Sequence, residues 1–269
     1  MRWDELTPKD FLALREASKG FCVLPVASIE RHGNHLPLGI DSFVGEETCR
    51  LAAEREPMMV FPVLRFGVNG EAAANPGAIA LRTEALFALL ENLCDEIARN
   101  GFEKILLFSS HGGNGHGLPF FVQQWAVKPR DYLVYYMNVG YAQATPPKNL
   151  KTDISNPSAH GGLYESSAMM SIQPELVKME QLLPAEASNN LGRLKKLSTL
   201  GVYTPVNYYA NFPNHWAGPA HDASPEIGRE IVMERAQKLA LAARMIKEDA
   251  VAPQLMSEFL QRMAQGGTL

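Results

Sequence analysis

Three short stretches of this chain set imidazole and carboxylate side chains beside glycines, a placement that packing alone does not require. The first runs Ser28-Ile29-Glu30-Arg31-His32-Gly33-Asn34-His35-Leu36-Pro37-Leu38-Gly39-Ile40-Asp41. Glu30 and His32 are two apart, so on extended backbone they project to one side. Asp41 follows nine residues after His32, beyond Gly33, Asn34, Pro37 and Gly39, turn residues that let the loop close on itself. Oxygen and imidazole donors gathered in this way suit zinc, manganese or iron. The second stretch is His111-Gly112-Gly113-Asn114-Gly115-His116-Gly117. It can present His111 to a metal, or it can be a glycine-rich turn that reverses the chain or holds a phosphate. The third is His160-Gly161-Gly162-Leu163-Tyr164-Glu165, with His160 before an expected helix and Glu165 in its first turns, where the helix N-terminus steadies a carboxylate.

Each stretch follows or opens a regular element. Residues 21–27 (Phe-Cys-Val-Leu-Pro-Val-Ala) read as a buried strand ending at the first stretch, and 104–110 as another ending at His111. Further strands are expected at 58–64, at 78–81 after the turn Asn75-Pro76-Gly77, and at 131–138. Helices are expected from Thr7-Pro8 to Gly20, over 44–56, over 83–100, from the glycine-rich turn to about 127, through Met169 and Ile172, and from Ser224-Pro225 to before Pro253, with a last short helix beyond it. Leu86, Leu89, Leu90, Leu93, Cys94 and Ile97 recur at helical spacing and predict a core face. Strand–helix alternation predicts an α/β fold with a largely parallel sheet and helices on both faces. Right-handed crossovers then bring the ends of the first and third long strands to one edge, so Glu30, His32, Asp41 and His111 can meet. Residues 140–159 are polar and aperiodic, as a lid or binding loop would be, and 180–222 are irregular and aromatic-rich.

Composition narrows the function. The 269 residues are 46% hydrophobic and 20% charged, which fits one α/β domain over 1–269. Lys+Arg is 25 against Asp+Glu 29, a net charge of −4 with no basic run, so nucleic acid is not an expected partner. No apolar run approaches a membrane span. Acidic residues stand at Asp4 and Glu5, where a signal peptide would have its basic and apolar regions. Cys22, Cys49 and Cys94 are odd in number and set among apolar neighbours, which reads as buried thiols in a reducing cytoplasm.

The string Glu30-x-His32-Gly33-x-His35-Leu36-Pro37-Leu38-x-x-Asp41 closely resembles the signature of the creatininase family, metal-dependent amidohydrolases of cyclic or simple amides. His111-Gly112-Gly113-Asn114 is similar to a motif that supplies a metal ligand in that family. His160-Gly161-Gly162-x-x-Glu165-Ser166-Ser167 is similar to a third, whose His acts near the substrate and whose Glu faces the metals. The stretch from Gly218 to Gly228 resembles a fourth, in which Glu226 and Gly228 read as structural. The resemblance spans about residues 22–246 and implies a three-layer α/β/α sandwich with a largely parallel mixed sheet, a small-molecule substrate and a homo-oligomer, hexameric in the family. It also implies two divalent ions, zinc before manganese or iron. Glu30, Asp41 and His111 are then expected to hold one ion. His32 and Asp41, with Glu165, hold the other, Asp41 bridging, while His160 transfers protons and Glu165 also serves in catalysis. His35 and His116 read as supporting residues, and His215 and His221 stay open.

Two departures bear on the substrate and the metals. Creatininase has a metal-binding Glu two residues after the His matched by His111, and Gly113 stands there in this chain, which makes Glu165 the candidate replacement. Creatininase also has tryptophans in the flap before its catalytic His, whereas 140–160 here holds Tyr141 and no Trp, so creatinine is not the expected substrate. The reaction expected is metal-assisted hydrolysis of a C–N bond in a small cyclic amide or formamide. Ring opening at a cyclitol-type ketone is the alternative on the same site, and a non-catalytic phosphate-binding domain the alternative from another class.

Overall fold

The structure, a computed structural model, describes residues 2–140, 156 and 158–266. The lid expected within 140–159 falls largely on 141–155 and 157, outside the described residues. Helix α1 (Pro8–Ala17) starts where Thr7 accepts a hydrogen bond from the Asp10 N–H and Pro8 takes the first turn. Strand β1 (Phe21–Val26) follows, then α2 (Ile40–Ala53), β2 (Met59–Val60), α3 (Thr83–Arg99), β3 (Lys104–Ser109), α4 (Asn114–Gln124), β4 (Leu133–Asn138) and α5 (Leu163–Ile172). Two short helices, α6 (Lys195–Ser198) and α7 (Asn207–Asn211), interrupt the irregular region before α8 (Pro225–Glu248) and α9 (Val251–Ala264). Ser224 caps α8 by accepting from the Ile227 N–H.

The strands form one sheet in the order β2-β1-β3-β4, every pairing parallel. Side chains alternate across it. Cys22, Leu24, Val26, Ile105 and Leu107 pack toward α3 and α4. Phe21, Val23, Leu106 and Phe108 pack toward α2 and α8. The layers are therefore α/β/α. Of the predicted face on α3, Leu86, Leu90, Cys94 and Ile97 are buried, each large aliphatic side chain contributing roughly 1.5–3 kcal/mol, while Leu93 is half-buried and Leu89 is exposed. Helix α5 lies against α2 and α8 and shares a third apolar cluster with them. Its approach to α8 is so close that a Cβ on Gly228 would lie 1.9 Å from the Ser167 carbonyl oxygen. All three cysteines are buried and free. Among the described residues no helix is long and apolar enough to cross a membrane.

Four expectations are corrected. The second strand is Met59–Val60 and not 58–64: Phe61 N–H still donates to Val23 O, but Pro25 of β1 has no N–H to offer Phe61 O, and pairing resumes only as a bridge between Val26 and Leu64. Residues 78–81 form no strand, and Ile79 instead donates one backbone hydrogen bond to Ile29 O at 3.0 Å. Helix α2 begins at Ile40, four residues before the predicted start, after the turn in which Ile40 N–H donates to Pro37 O. Pro253 does not separate the last two helices but sits in the first turn of α9, where its missing N–H has no helical partner to lose.

Candidate metal centre

Strands β1 and β3 are adjacent and parallel, with Val26 opposite Ser109. Their following loops therefore leave the sheet at the same carboxyl edge, the usual ligand position in open α/β sheets. The loop after β1 is held by Glu30 N–H donating to Leu38 O and by the Asn69 side chain donating to Ile29 O. It carries Glu30 and His32 and ends at Asp41, the second residue of α2. His111 follows β3 in a turn braced by Ser109 Oγ, which donates to His111 O at 2.7 Å. Glu165, third in α5, accepts the Gly161 N–H through Oε2 at 2.6 Å. The first turns of α2 and α5 thus supply two of the three carboxylates, where the helix dipole favours negative charge.

The structure brings together the six candidate site residues Glu30, His32, Asp41, His111, His160 and Glu165. His111 Nδ1 lies 3.0 Å from Glu30 Oε1 and 3.1 Å from Asp41 Oδ2. His32 Nε2 lies 3.5 Å from Asp41 Oδ1, 3.6 Å from Glu165 Oε2 and 3.8 Å from Glu30 Oε1. The ring of His160 stacks on His32 at 4.0 Å between centroids, and its Nδ1 is 3.9 Å from Glu30 Oε1. Glu30, His32, Asp41, His111 and Glu165 are all buried. A cavity of about 210 Å³ opens onto them, lined also by Ser110, Asn138, His160 and Arg235.

The ring nitrogens show what is missing. His111 Nε2 donates to Val68 O at 2.9 Å, because a carbonyl can only accept. Its Nδ1 is left facing two carboxylate oxygens. Neither that Nδ1 nor Asp41 Oδ2 has a hydrogen-bond partner, close as they are. His32 likewise turns Nδ1 to Glu30 O at 3.3 Å and leaves Nε2 toward three carboxylates. Buried imidazole nitrogens and carboxylate oxygens converging on one point are the donor arrangement that suits a bound cation. Two triads have ligand atoms within 4.8 Å of one another: Glu30, Asp41, His111 and Glu30, His32, His160. The donor set of carboxylate and imidazole fits zinc, manganese or iron.

Electrostatics point the same way. Burial alone would lower the His32 pKa, but Glu165 and Asp41 outweigh it and hold it at about 9. Burial opposes protonation of His111 too, and Glu30 and Asp41 raise it well above its ordinary value. Burial pushes Glu165 up to about 7, with His32 opposing and Asp41 adding. His160, buried and facing His32, falls to about 3 despite Glu30. Without a cation the site draws protons onto two imidazoles to balance its carboxylates; a divalent ion supplies the same charge. Glu30 and Asp41 facing the glycine-rich turn also repel an anion, which removes the phosphate reading of 111–117.

His35 bonds Ser166 Oγ at 2.8 Å and touches no carboxylate, and His116 and His221 are exposed. His215 is the residue sequence reasoning left open: it is buried, with Nε2 3.1 Å from Glu30 Oε2. It lies in an aperiodic region, and no spacing to the other clusters marks it.

The family model described as Creatininase: Creatinine amidohydrolase matches residues 4–243. The chain belongs to the creatininase family. It is similar to the creatinine amidohydrolase of Pseudomonas putida, 26% identical over 66% of this chain and 74% of that protein. It is similar to the mycofactocin precursor peptide peptidase of Mycolicibacterium smegmatis, 26% identical over 66% and 73%. A 3-dehydro-scyllo-inosose hydrolase of Thermotoga maritima is 24% identical over 84% of this chain and 77% of that protein. Among solved structures, a mutant creatininase of Zn-Zn type covers 92% of this chain and 98% of its own, with TM-score 0.69 and 22% identity. A creatininase with Mn covers 92% and 99%, with TM-score 0.67 and 23% identity. The structural likeness shows the fold, an α/β creatininase fold, and the family makes the chain a hydrolase.

Proposed function

We propose that this chain is a divalent-metal-dependent amidohydrolase that cleaves a C–N bond in a small cyclic amide or formamide. The observation that carries the reading is the buried convergence of His111 Nδ1, Asp41 Oδ2 and Glu30 Oε1, three ligand atoms within reach of one ion. Glu30, Asp41 and His111 would hold one ion. His32 and Asp41, with Glu165, would hold a second, Asp41 spanning the pair through its two oxygens. Zinc, manganese and iron all suit these ligands, and creatininases of Zn-Zn type and with Mn support the choice. Held there, such ions polarise a carbonyl and acidify water.

The chain's own groups handle the proton. His160 Nε2 donates to Arg31 O at 2.9 Å, which fixes the ring and leaves Nδ1 toward Glu30 at the cavity wall. A neutral imidazole accepts a proton at Nδ1 as the carbonyl is attacked and delivers it to the leaving nitrogen. Relatives named as an amidohydrolase and a peptidase support the C–N bond. The match to the dehydro-inosose hydrolase over 84% of this chain favours a second reading, ring opening of a cyclitol-type ketone on the same residues.

Purified protein loaded in turn with Zn²⁺, Mn²⁺ and Fe²⁺ is to be screened against cyclic amides, formamides and cyclitol ketones. Full activity in protein that elemental analysis finds free of transition metal would overturn the reading. We further propose that residues 1–269 act as one cytoplasmic domain and assemble as a homo-oligomer. The stripe Val251, Leu255, Phe259 and Met263, exposed along α9, supports assembly. A monomer by light scattering would refute it.

A further inference from the structure

His215 occupies an unusual conformation for its type. Its φ is +50°, in the left-handed region, and outside glycine the described residues show this at one other position, Lys19. Backbone strain of this kind persists where surrounding contacts over-determine it, and those contacts are present. The His215 N–H donates to Phe212 O at 3.0 Å, and its carbonyl accepts the Gly33 N–H at 3.0 Å, tying it to the loop that carries Glu30 and His32. Trp216 Nε1 donates to Gly161 O at 3.0 Å, and the Ala217 N–H to His160 O at 2.8 Å, tying the same segment to the third stretch. The His215 ring is held edge-on against His160 at 4.6 Å and beside Tyr208 at 4.8 Å between centroids. All of this delivers one polar contact: Nε2 at 3.1 Å from Glu30 Oε2.

We propose that His215 is a positioning residue: its Nε2–H holds Oε2 of Glu30 and thereby turns Oε1 toward His111, His32 and His160. The inference rests on reading the cluster as a metal centre. A carboxylate with both oxygens free can rotate between bidentate and single-oxygen binding. Anchored at Oε2, Glu30 offers one oxygen at one place, 3.0 Å from His111 Nδ1 and 3.8 Å from His32 Nε2, so that a single atom serves both halves of the cluster. Hydrogen bonds to ligating groups are part of what sets metal affinity.

The test is Zn²⁺ affinity, measured by competition with a chromogenic chelator. His215→Phe keeps a ring for Tyr208 and His160 and removes the donor. His215→Gln puts an amide N–H near the place of Nε2. His215→Phe should bind Zn²⁺ about 10–100-fold more weakly than the unaltered protein, the usual effect of losing such a hydrogen bond, and His215→Gln should recover most of the loss. Zn²⁺ held by His215→Phe as tightly as by the unaltered protein overturns the proposal. So does a Gln variant no better than Phe, which would assign the effect to packing. Should the variants not fold, ¹⁵N-histidine NMR of the unaltered chain decides. Nε2 of His215 should carry its proton in both metal-free and Zn²⁺-loaded protein, and an unprotonated Nε2 overturns the proposal. Unaltered protein that takes up no Zn²⁺ overturns the metal reading instead, while the NMR of the metal-free protein still reports on the His215–Glu30 bond.

Discussion

Asp41→Asn separates the metal centre from the fold that carries it. The side chain keeps its shape, but one of three buried carboxylates becomes neutral. In the unaltered protein Oδ2 lies 3.1 Å from His111 Nδ1 and Oδ1 3.5 Å from His32 Nε2, so an amide can face only one of these nitrogens as an acceptor. The metal-free protein should itself be destabilised, because burial opposes the Asp41 charge but His32 and His111 outweigh it, and its loss leaves those imidazoles less compensated. For the loaded protein the loss is large. An ion present at about 100–1,000 times its Kd stabilises the native state by about 2.7–4.1 kcal/mol. At about 2–4 °C per kcal/mol for a chain near this size, the Tm of the unaltered protein should rise by roughly 5–16 °C. Whatever its chelator-treated Tm, Asp41→Asn should gain little above it from Zn²⁺ or Mn²⁺. Differential scanning calorimetry with and without each ion makes the comparison. A variant whose Tm rises as far as the parent's would refute Asp41 as a ligand, and a parent whose Tm does not rise would refute the centre.

Three further outcomes follow from the same geometry. His160→Ala should retain its metal and fold but lose roughly a hundredfold or more in turnover, the scale of one acid–base group; parallel loss of metal in elemental analysis would make His160 a ligand, as its triad with Glu30 and His32 permits. The metal-free protein should lose thermal stability as pH rises. Glu165 is raised from 4.5 to about 7 and His32 from 6.5 to about 9, so each binds more protons folded than unfolded. Their contributions are present at low pH and lost as pH climbs through those values; His160 and His35, lowered to about 3 and 4, oppose this only below about pH 7, so a Tm that rises from pH 7.5 to 9 in chelator-treated protein would contradict the assignment. Gly228→Ala should destabilise by about 1–3 kcal/mol or more in urea unfolding, since its Cβ would meet the Ser167 carbonyl at 1.9 Å; an unchanged midpoint would refute that close approach.

The sheet and its main helices were legible because their signals are local. The apolar runs at 21–26 and 104–109 and the helical spacing of Leu86, Leu90, Cys94 and Ile97 each carry their own period. The site was legible because its clusters sit at strand ends, so parallel pairing of β1 and β3 brings Glu30 and His111 to one edge. The errors have equally local causes. Residues 58–64 look like a strand by hydrophobicity, yet Pro25 in the neighbouring β1 cannot donate to Phe61 O, so the ladder stops after Phe61. The start of α2 was placed too late because no Ser, Thr, Asp or Asn caps it: Gly39 precedes Ile40 and makes no side-chain hydrogen bond. His215 was unreadable because its partner, Glu30, is 185 residues away and the intervening chain has no period to count by.

The arrangement of helix ends explains why this pocket would take a metal and not simply stay protonated. Asp41 and Glu165 lie in the first turns of α2 and α5, and His111 precedes α4 by three residues. Each helix presents the positive end of its dipole, which steadies a carboxylate but adds less than a full charge. Three carboxylates held ionised in a buried space therefore still need compensation, and the imidazoles can give it by binding protons. Doing so uses the very lone pairs, His111 Nδ1 and His32 Nε2, that face the carboxylates. Their other nitrogens are already committed to Val68 O and Glu30 O, so neither ring can turn to offer a different one. Protons and a divalent ion thus compete for the same two atoms, and two positive charges on one small ion meet more carboxylate oxygens at short range than two protons can. Metal occupancy in this fold is accordingly a proton-linked equilibrium, with uptake releasing protons and strengthening toward the pH at which His32 would otherwise let go.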